Sequence, residues 1–159
     1  MPKGAAMPFI ERVAARAYSR ATEIVDRVRA AILNLFPEDL RDHVRTNTVR
    51  TEGYGQIPIV IVNAVISGKR IAQRTFHHLI GQMSQADRDW LSVSLDRRLD
   101  ERCMLFLRVD KQEAYIGNIR LAKGPDVISV RVHIREYPRC DQEKVMRFLR
   151  ETVRSVRQE

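Results

Sequence analysis

The segment from Ile128 to Arg135 alternates strictly between apolar and polar residues, and this pattern restricts the fold more than any other part of the chain. Successive side chains of a β-strand point to opposite faces of the sheet, so the apolar positions share one face and the polar positions share the other. Such a strand needs a hydrophobic core on one side only. Its second face is basic, because it carries Arg131, His133 and Arg135. A basic sheet face is suited to binding phosphate groups.

The composition indicates one globular domain. A chain of 159 residues can build one sizeable core, and 44% hydrophobic residues argue against disorder. We predict a flexible tail over residues 1–7 and a single α+β domain over residues 8–159. No apolar run reaches the roughly 20 residues of a membrane helix, and the first residues lack a signal-peptide pattern. The two cysteines, Cys103 and Cys140, are too few for a disulfide framework, so we predict reduced thiols in a cytoplasmic protein.

Hydrophobic periodicity predicts an α+β fold in which a mainly antiparallel sheet carries helices on one face. The first strand is also a candidate for parallel pairing, which would make the sheet mixed. Thr22, Ser84 and Asp141 are the expected N-caps of three helices. The strand over residues 44–51 is polar on both faces, which is typical of a sheet edge. The expected strands are 9–18, 44–51, 57–66, 103–109, 119–122 and 128–135.

The sequence offers little for catalysis. His77 and His78 are adjacent on a predicted helix, about 100° apart, so both cannot bind one metal ion. No glycine-rich phosphate loop follows a strand. Asp110 and Glu113 are the carboxylates that a magnesium-dependent nuclease would use, and we retain that activity only as a minor alternative. We therefore predict no catalytic residues, no cofactor and no metal site.

The charge of the chain predicts a polyanionic partner. The net charge is +8, the sequence pI is about 10.1, and most of the 28 basic residues are arginine. Aromatic residues make up only 6% of the chain, so backbone contacts should dominate over base stacking, with Tyr18 and Tyr54 as the candidate stacking platforms. The strand positions expected to bind RNA are Arg12, Arg16, Arg45, Arg50, Arg108, Arg120, Arg131, His133 and Arg135.

Arginines also follow one stripe of the last helix, at positions 147, 150, 154 and 157. Glu143 and Glu151 lie four residues from Arg147, at the spacing of helical ion pairs. We favour a solvated helix face for this stripe. The alternative is that the stripe meets an acidic partner.

Several short motifs are distributed along the chain. They are Ala21-Thr22-Glu23, Gly53-Tyr54-Gly55-Gln56-Ile57-Pro58-Ile59, Leu107-Arg108-Val109-Asp110-Lys111-Gln112, Ala114-Tyr115-Ile116-Gly117 and Asp126-Val127-Ile128. With these motifs the chain resembles an archaeal family described as RNA-binding proteins or predicted exosome subunits. The resemblance spans about residues 9–150 and implies an archaeal source, a cytoplasmic location and a fold similar to the large-subunit ribosomal protein that binds 5S rRNA. It also implies a role near the exosome or ribosomal RNA.

The segment Asp110-Lys111-Gln112 is the most specific part of that resemblance and allows two interpretations. In the first, Lys111 and Gln112 contact the RNA backbone beside Arg108 and Arg120. In the second, Asp110 caps a turn and Lys111 is a solvated charge.

We therefore expect a non-catalytic RNA-binding protein that uses a basic sheet face. The alternative is an interaction protein without direct RNA contact, such as an exosome or ribosome adaptor or a homodimer. In that case the polar edge strand or the arginine stripe of the last helix would form the interface.

Overall fold

The computed structural model describes residues 7–20, 22–52, 55 and 58–158. The predicted tail at residues 1–6 and most of the hairpin turn at 53–57, including Tyr54, lie outside the described residues. The strands are β1 (Phe9–Ser19), β2 (Arg45–Glu52), β3 (Pro58–Ser67), β4 (Met104–Asp110) and β5 (Val127–Arg135). The helices are α1 (Val25–Leu33), α2 (Lys69–Gln82), α3 (Gln85–Arg98), α4 (Lys111–Tyr115) and α5 (Gln142–Ser155), with a 3₁₀ helix at Glu38–His43.

The five strands form one sheet in the order β2-β3-β1-β5-β4, and every neighbouring pair is antiparallel. The predicted α+β class is confirmed. Parallel pairing of the first strand is wrong, because β1 lies between β3 and β5 and runs opposite to both. β2 runs in the same direction as β1, but β3 lies between them, so β1 and β2 do not pair.

The predicted strand at residues 119–122 is wrong, although the segment does contact the sheet. Leu121 forms an isolated bridge with Val109. The Ala122 amide donates to the Arg108 carbonyl, and the Asp110 amide donates to the Arg120 carbonyl. The strand-like alternation arises because Ile119 and Leu121 are buried. The segment therefore covers the outer edge of β4 without becoming a sixth strand.

The core lies between one face of the sheet and the helices. On β1 that face carries Val13, Ala15 and Ala17, all buried, and both α1 and α2 pack against this strand. Small side chains at the centre of the sheet let two helices approach it closely. α3 contacts β4, and α5 packs on α3. Among the described residues, no helix is long and apolar enough to cross a membrane.

Two of the three predicted N-caps are confirmed. The Ser84 hydroxyl accepts from the Asp87 amide, and Asp141 accepts from the amides that open α5. Thr22 is not an N-cap, because α1 begins later, at Val25, after a capping residue that offers no side-chain acceptor. The acidic residue of that segment, Glu23, instead accepts from the Arg20 amide.

The prediction of two reduced thiols is wrong. Cys103 and Cys140 form a disulfide across 37 residues of sequence, with their Cα atoms 5.8 Å apart. That separation lies within the range that a disulfide requires. Cys103 precedes β4 and Cys140 precedes α5, so the bond ties the entry of the last helix to the sheet. Sequence spacing alone did not indicate that these two segments meet.

Candidate nucleic-acid interface

The sheet has one face that no helix covers among the described residues, and we call it the open face. Strand register places its side chains in rows across the strands. Arg16 on β1 lies opposite Asn63 on β3 and Ser129 on β5. The next row places Ala14 between Val65 and Arg131. These two rows thus bring Arg16 and Arg131 onto neighbouring strands of the open face.

A hydrogen-bonded ladder crosses three strands of the open face. Arg16 Nε donates to Asn63 Oδ1 at 2.9 Å, and Asn63 Nδ2 donates to Asn47 Oδ1 on β2 at 3.0 Å. This arrangement holds the Arg16 guanidinium in one orientation. Among the described residues, no acceptor takes the hydrogens of its two terminal nitrogens. A held guanidinium with free donors suits phosphate, because less side-chain entropy is lost on binding.

A shallow depression of about 290 Å³ lies beside this ladder. Ala14, Val65 and Ser129 leave room there because their side chains are small. Arg16, Arg45 and Arg131 also line the depression, together with both asparagines of the ladder. The site thus combines a small-residue floor with three cations, and it can take a phosphate with its attached sugar.

The β4–β5 side of the open face adds an aromatic side chain that the sequence analysis missed. Phe106 is 39% exposed, and the Arg131 guanidinium lies over its ring, 5.9 Å from the centroid. Phe106 stands opposite Arg131 in the β4–β5 register. Its position between Leu105 and Leu107, both buried, was the available sequence signal. Tyr18 also lies on this face and is 49% exposed.

The remaining basic residues of the open face differ in how much of their charge is available to a ligand. Arg108 is exposed on β4. Arg135 forms an ion pair with Glu11 at 2.9 Å, and its guanidinium lies 5.7 Å from the ring centroid of Tyr137. That ion pair raises the pKa of Arg135 above its ordinary value. Part of its charge is therefore already compensated within the protein.

His133 lies on the open face beside Arg12, with 3.3 Å between its Nδ1 and Arg12 Nη2. Burial lowers the pKa of His133 below its ordinary value, and the nearby positive charges of Arg12 and Arg131 lower it further, against Glu11 and Asp100. The imidazole is therefore neutral at pH 7. An approaching phosphate would favour its protonated form.

Two arginines predicted for the open face are not on it. Arg50 stands opposite Val60 in the β2–β3 register, which places it on the face that carries the core further along the sheet. It is exposed, as is every other residue of β2. Arg120 lies in the segment beside β4, and its Nε is 3.3 Å from Glu113 Oε1. Arg45 and Arg50 are five residues apart on β2, so alternation places them on opposite faces, and the strand register decides that Arg45 is the one on the open face.

Lys111 is buried rather than presented to solvent, whereas Gln112 is exposed but bonded to a neighbouring side chain. Lys111 is only 3% exposed. Its Nζ donates to the Tyr18 carbonyl at 2.9 Å and forms ion pairs with Glu23 at 2.9 Å and Asp126 at 2.7 Å. Gln112 Nε2 donates to the second Asp126 oxygen at 2.9 Å. Both interpretations of Lys111, as an RNA contact and as a solvated charge, are therefore corrected by its burial.

The acceptors around Lys111 form a cluster that joins the end of β1, the start of α1 and the start of β5. Burial of Asp126 acts to raise its pKa, but the hydrogen bonds from Gln112 and Lys111 outweigh this and hold the pKa below its ordinary value. Asp126 is therefore ionised near neutral pH. The segment Asp110-Lys111-Gln112 is the most specific part of the family resemblance. In this chain it joins separate elements of the fold and therefore has a structural role.

Asp110 and Glu113 have local structural partners. Asp110 Oδ1 accepts from the Glu113 amide and caps α4, as the second interpretation of this segment expected. Glu113 Oε1 accepts from Asn118 and contacts Arg120. Within the described part of the chain, no group of three or more metal-binding side chains comes together.

Comparisons with known proteins identify the family of the chain and several proteins that are similar to it. The chain matches the family described as RNA binding over residues 12–134. It is 34% identical to RNA-binding protein PAB1135 of Pyrococcus abyssi, over 86% of this chain and 88% of that protein. It is 33% identical to an uncharacterized protein of Methanocaldococcus jannaschii, MJ0213, over 79% of this chain and 85% of that protein. The crystal structure of protein AF2318 from Archaeglobus fulgidus is similar, with a TM-score of 0.77 and 28% identity over 90% of this chain and 99% of that one.

Proposed function

The chain belongs to the RNA-binding family, and from this premise we propose that it binds RNA through the open face of its sheet. The observation that carries the proposal is the ladder from Arg16 through Asn63 to Asn47, beside the depression lined by Arg45 and Arg131. Arginine recognises phosphate through two parallel hydrogen bonds, and asparagine can both donate to and accept from a ribose 2′-hydroxyl. The face thus presents donors for the two backbone groups that repeat along RNA.

We propose single-stranded or looped RNA as the substrate, bound mainly through its backbone. Phe106 and Tyr18 are exposed aromatic side chains on the open face, and unpaired bases can stack on such rings. Two aromatics on a five-stranded sheet are few, so most of the affinity should come from phosphate contacts. Binding should therefore depend strongly on salt and weakly on sequence.

A matched pair of double variants tests the open face. Arg16→Ser/Arg131→Ser removes two charges from it, and Arg50→Ser/Arg97→Ser removes two exposed charges elsewhere. The log of affinity for a single-stranded RNA should fall linearly with log salt, at a slope of about 0.7 per phosphate contact. The first variant should lose affinity and reduce this slope by about 1.4, whereas the control should keep both near the wild-type values.

Fluorescence anisotropy at several salt concentrations gives both quantities. Equal losses in the two double variants would show that only net charge matters and would contradict a site on the open face. No detectable binding of the wild-type chain at low salt would overturn the proposed function itself.

We further propose a non-catalytic role in the archaeal cytoplasm, near the exosome or ribosomal RNA. The family resemblance supports this assignment, as does a fold that we expect to be similar to the ribosomal protein that binds 5S rRNA. Crosslinking in the native cell, followed by sequencing of the attached RNA, distinguishes the two settings. Ribosomal RNA would favour the ribosome, and a broad set of transcripts would favour RNA processing.

One observation favours a second candidate function as a protein adaptor or a homodimer. All eight residues of β2 are exposed, and β2 is the sheet edge that no described segment covers. An uncovered edge presents backbone groups to which another chain can add a strand. Capture of a partner that persists after nuclease treatment would support this function, and loss of all partners with the RNA would exclude it.

A further inference from the structure

The helical side of the molecule contains a basic cleft that the sheet-face proposal does not use. It lies between the first turns of α3 and the last turns of α5 and has a volume of about 420 Å³. Three of the side chains that line it are arginines, against one carboxylate. Its polar lining residues are Gln85, Arg88, Asp89, Ser92, Arg150 and Arg154.

Arg88 is the unusual residue of this cleft because it is a buried cation with an unused donor. It is 6% exposed. Its Nε donates to the Ile80 carbonyl, and its Nη1 donates to the carbonyls of Val153 and Val156. Nη2 is buried and has no hydrogen-bond partner among the residues that the structure describes. A buried guanidinium nitrogen without an acceptor is costly, and an anion in the adjoining cleft would provide one.

The two arginines from α5 are exposed and complement Arg88 from the other side of the cleft. Within residues 7–20, 22–52, 55 and 58–158, neither Arg150 nor Arg154 forms an ion pair. The single carboxylate, Asp89, accepts from Gln85 Nε2 at 2.9 Å. The lining carries three formal positive charges and one negative charge, and the cleft is large enough for a tetrahedral anion.

We propose that the α3–α5 cleft binds a phosphate group, with Arg88 at its buried end and Arg150 and Arg154 at its mouth. On an RNA ligand, this site would hold a phosphate from a segment that passes the helical side of the protein. Two arginines of the α5 stripe, Arg150 and Arg154, then bind phosphate and are not only a solvated helix face. The assignment to RNA rests on the proposed function, whereas the phosphate site does not.

The first test uses inorganic phosphate and the full-length chain. Arg150→Ala/Arg154→Ala removes the mouth of the cleft, and Arg97→Ala/Arg147→Ala removes equal charge from the same two helices outside it. Amide chemical shifts followed by NMR should change at the start of α3 and the end of α5 in the wild-type chain and the control. They should not change there in the cleft variant. Equal responses in both variants, or changes spread over the whole surface, would overturn the site.

The second test identifies the source of the phosphate by competition. A short RNA that lacks a terminal phosphate and still displaces inorganic phosphate would identify the RNA backbone. Displacement only by the terminally phosphorylated RNA would identify the chain end. If neither RNA competes, the assignment to RNA is overturned and the cleft is a site for small phosphate compounds.

These results are distinguishable from failure of the proposed function. If Arg150→Ala/Arg154→Ala retains full RNA affinity while the open-face variant loses it, RNA binds at the sheet alone. If phosphate binds at the cleft but no RNA binds anywhere, the proposed function fails and the phosphate site remains.

Discussion

Lys111 and Arg131 are both cations that the sequence pattern placed at an RNA interface, and the fold uses them in opposite ways. Lys111 is 3% exposed and has three oxygen partners from three segments of the chain. Arg131 is exposed on the open face and lies over the ring of Phe106. The difference teaches that burial commits one basic residue to a structural role, whereas exposure leaves the other available to a ligand.

The largest expected effect concerns the Cys103–Cys140 disulfide. It lies at the opposite end of β4 from Lys111. A loop of 37 residues predicts a loss of about 4 kcal/mol in unfolding free energy when the bond is removed, by the chain-entropy estimate. Chemical denaturation of Cys140→Ser, and of the wild-type chain with and without reductant, measures it. Reduction should not affect the variant. An unchanged denaturation midpoint on reduction of the wild-type chain would contradict a stabilising bond.

Lys111→Met against Arg131→Met tests the comparison directly. Removal of Lys111 takes a cationic donor from two carboxylates and a carbonyl, so we expect a loss of about 3 kcal/mol in unfolding free energy. This value is at the low end for a broken buried pair, because Glu23 and Asp126 are partly exposed and can rehydrate. Arg131→Met, an exposed substitution, should change stability by less than about 0.5 kcal/mol.

RNA affinity of the same two variants should show the reverse order. Folded Lys111→Met should bind RNA as the wild-type chain does, and Arg131→Met should bind more weakly. The contrast between Lys111 and Arg131 would be contradicted if Lys111→Met were fully stable yet deficient in RNA binding. Lys111 would then be a ligand contact.

The smallest expected effect is the pH dependence that His133 contributes. Its folded pKa lies below the ordinary value of about 6.5, so its contribution to stability is complete above that value and is lost as pH falls through the folded pKa. RNA phosphates favour the protonated form, so affinity should rise as pH falls below about 6.5, by at most about tenfold. In His133→Gln this rise should flatten. A pH profile identical to that of the wild-type chain would remove His133 from the interface.

Much of the fold was predictable because it depends on local periodicity. Strict alternation identified β5 and its basic face, and the polar strand at residues 44–51 was correctly assigned to a sheet edge. The N-caps at Ser84 and Asp141 could be predicted because an N-cap bonds to amides no more than three residues further along the chain. The predicted strand at 119–122 failed because buried alternation also arises where a loop packs on a sheet edge.

The candidate site was predictable only in part. Arg16, Arg45 and Arg131 follow from alternation within their own strands. The contact of Arg16 with Asn63, and of Asn63 with Asn47, depends on strand register, which one sequence does not specify. Alternation along β2 already separates Arg50 from Arg45, and register was needed only to decide which of the two lies on the open face. The α3–α5 cleft could not be predicted from the sequence, because its arginines come from helices that are far apart in sequence.

The sequence by itself determined the α+β class and the single basic face of β5, and it supplied the expectation of a polyanionic ligand. These properties follow from periodicity and net charge, which are local or additive along the chain. Only the tertiary structure decided that Lys111 is buried, that Cys103 reaches Cys140, and that Arg88 lies at a cleft with an unused donor. Each of these depends on contacts between distant segments, because burial and proximity are properties of the packed chain.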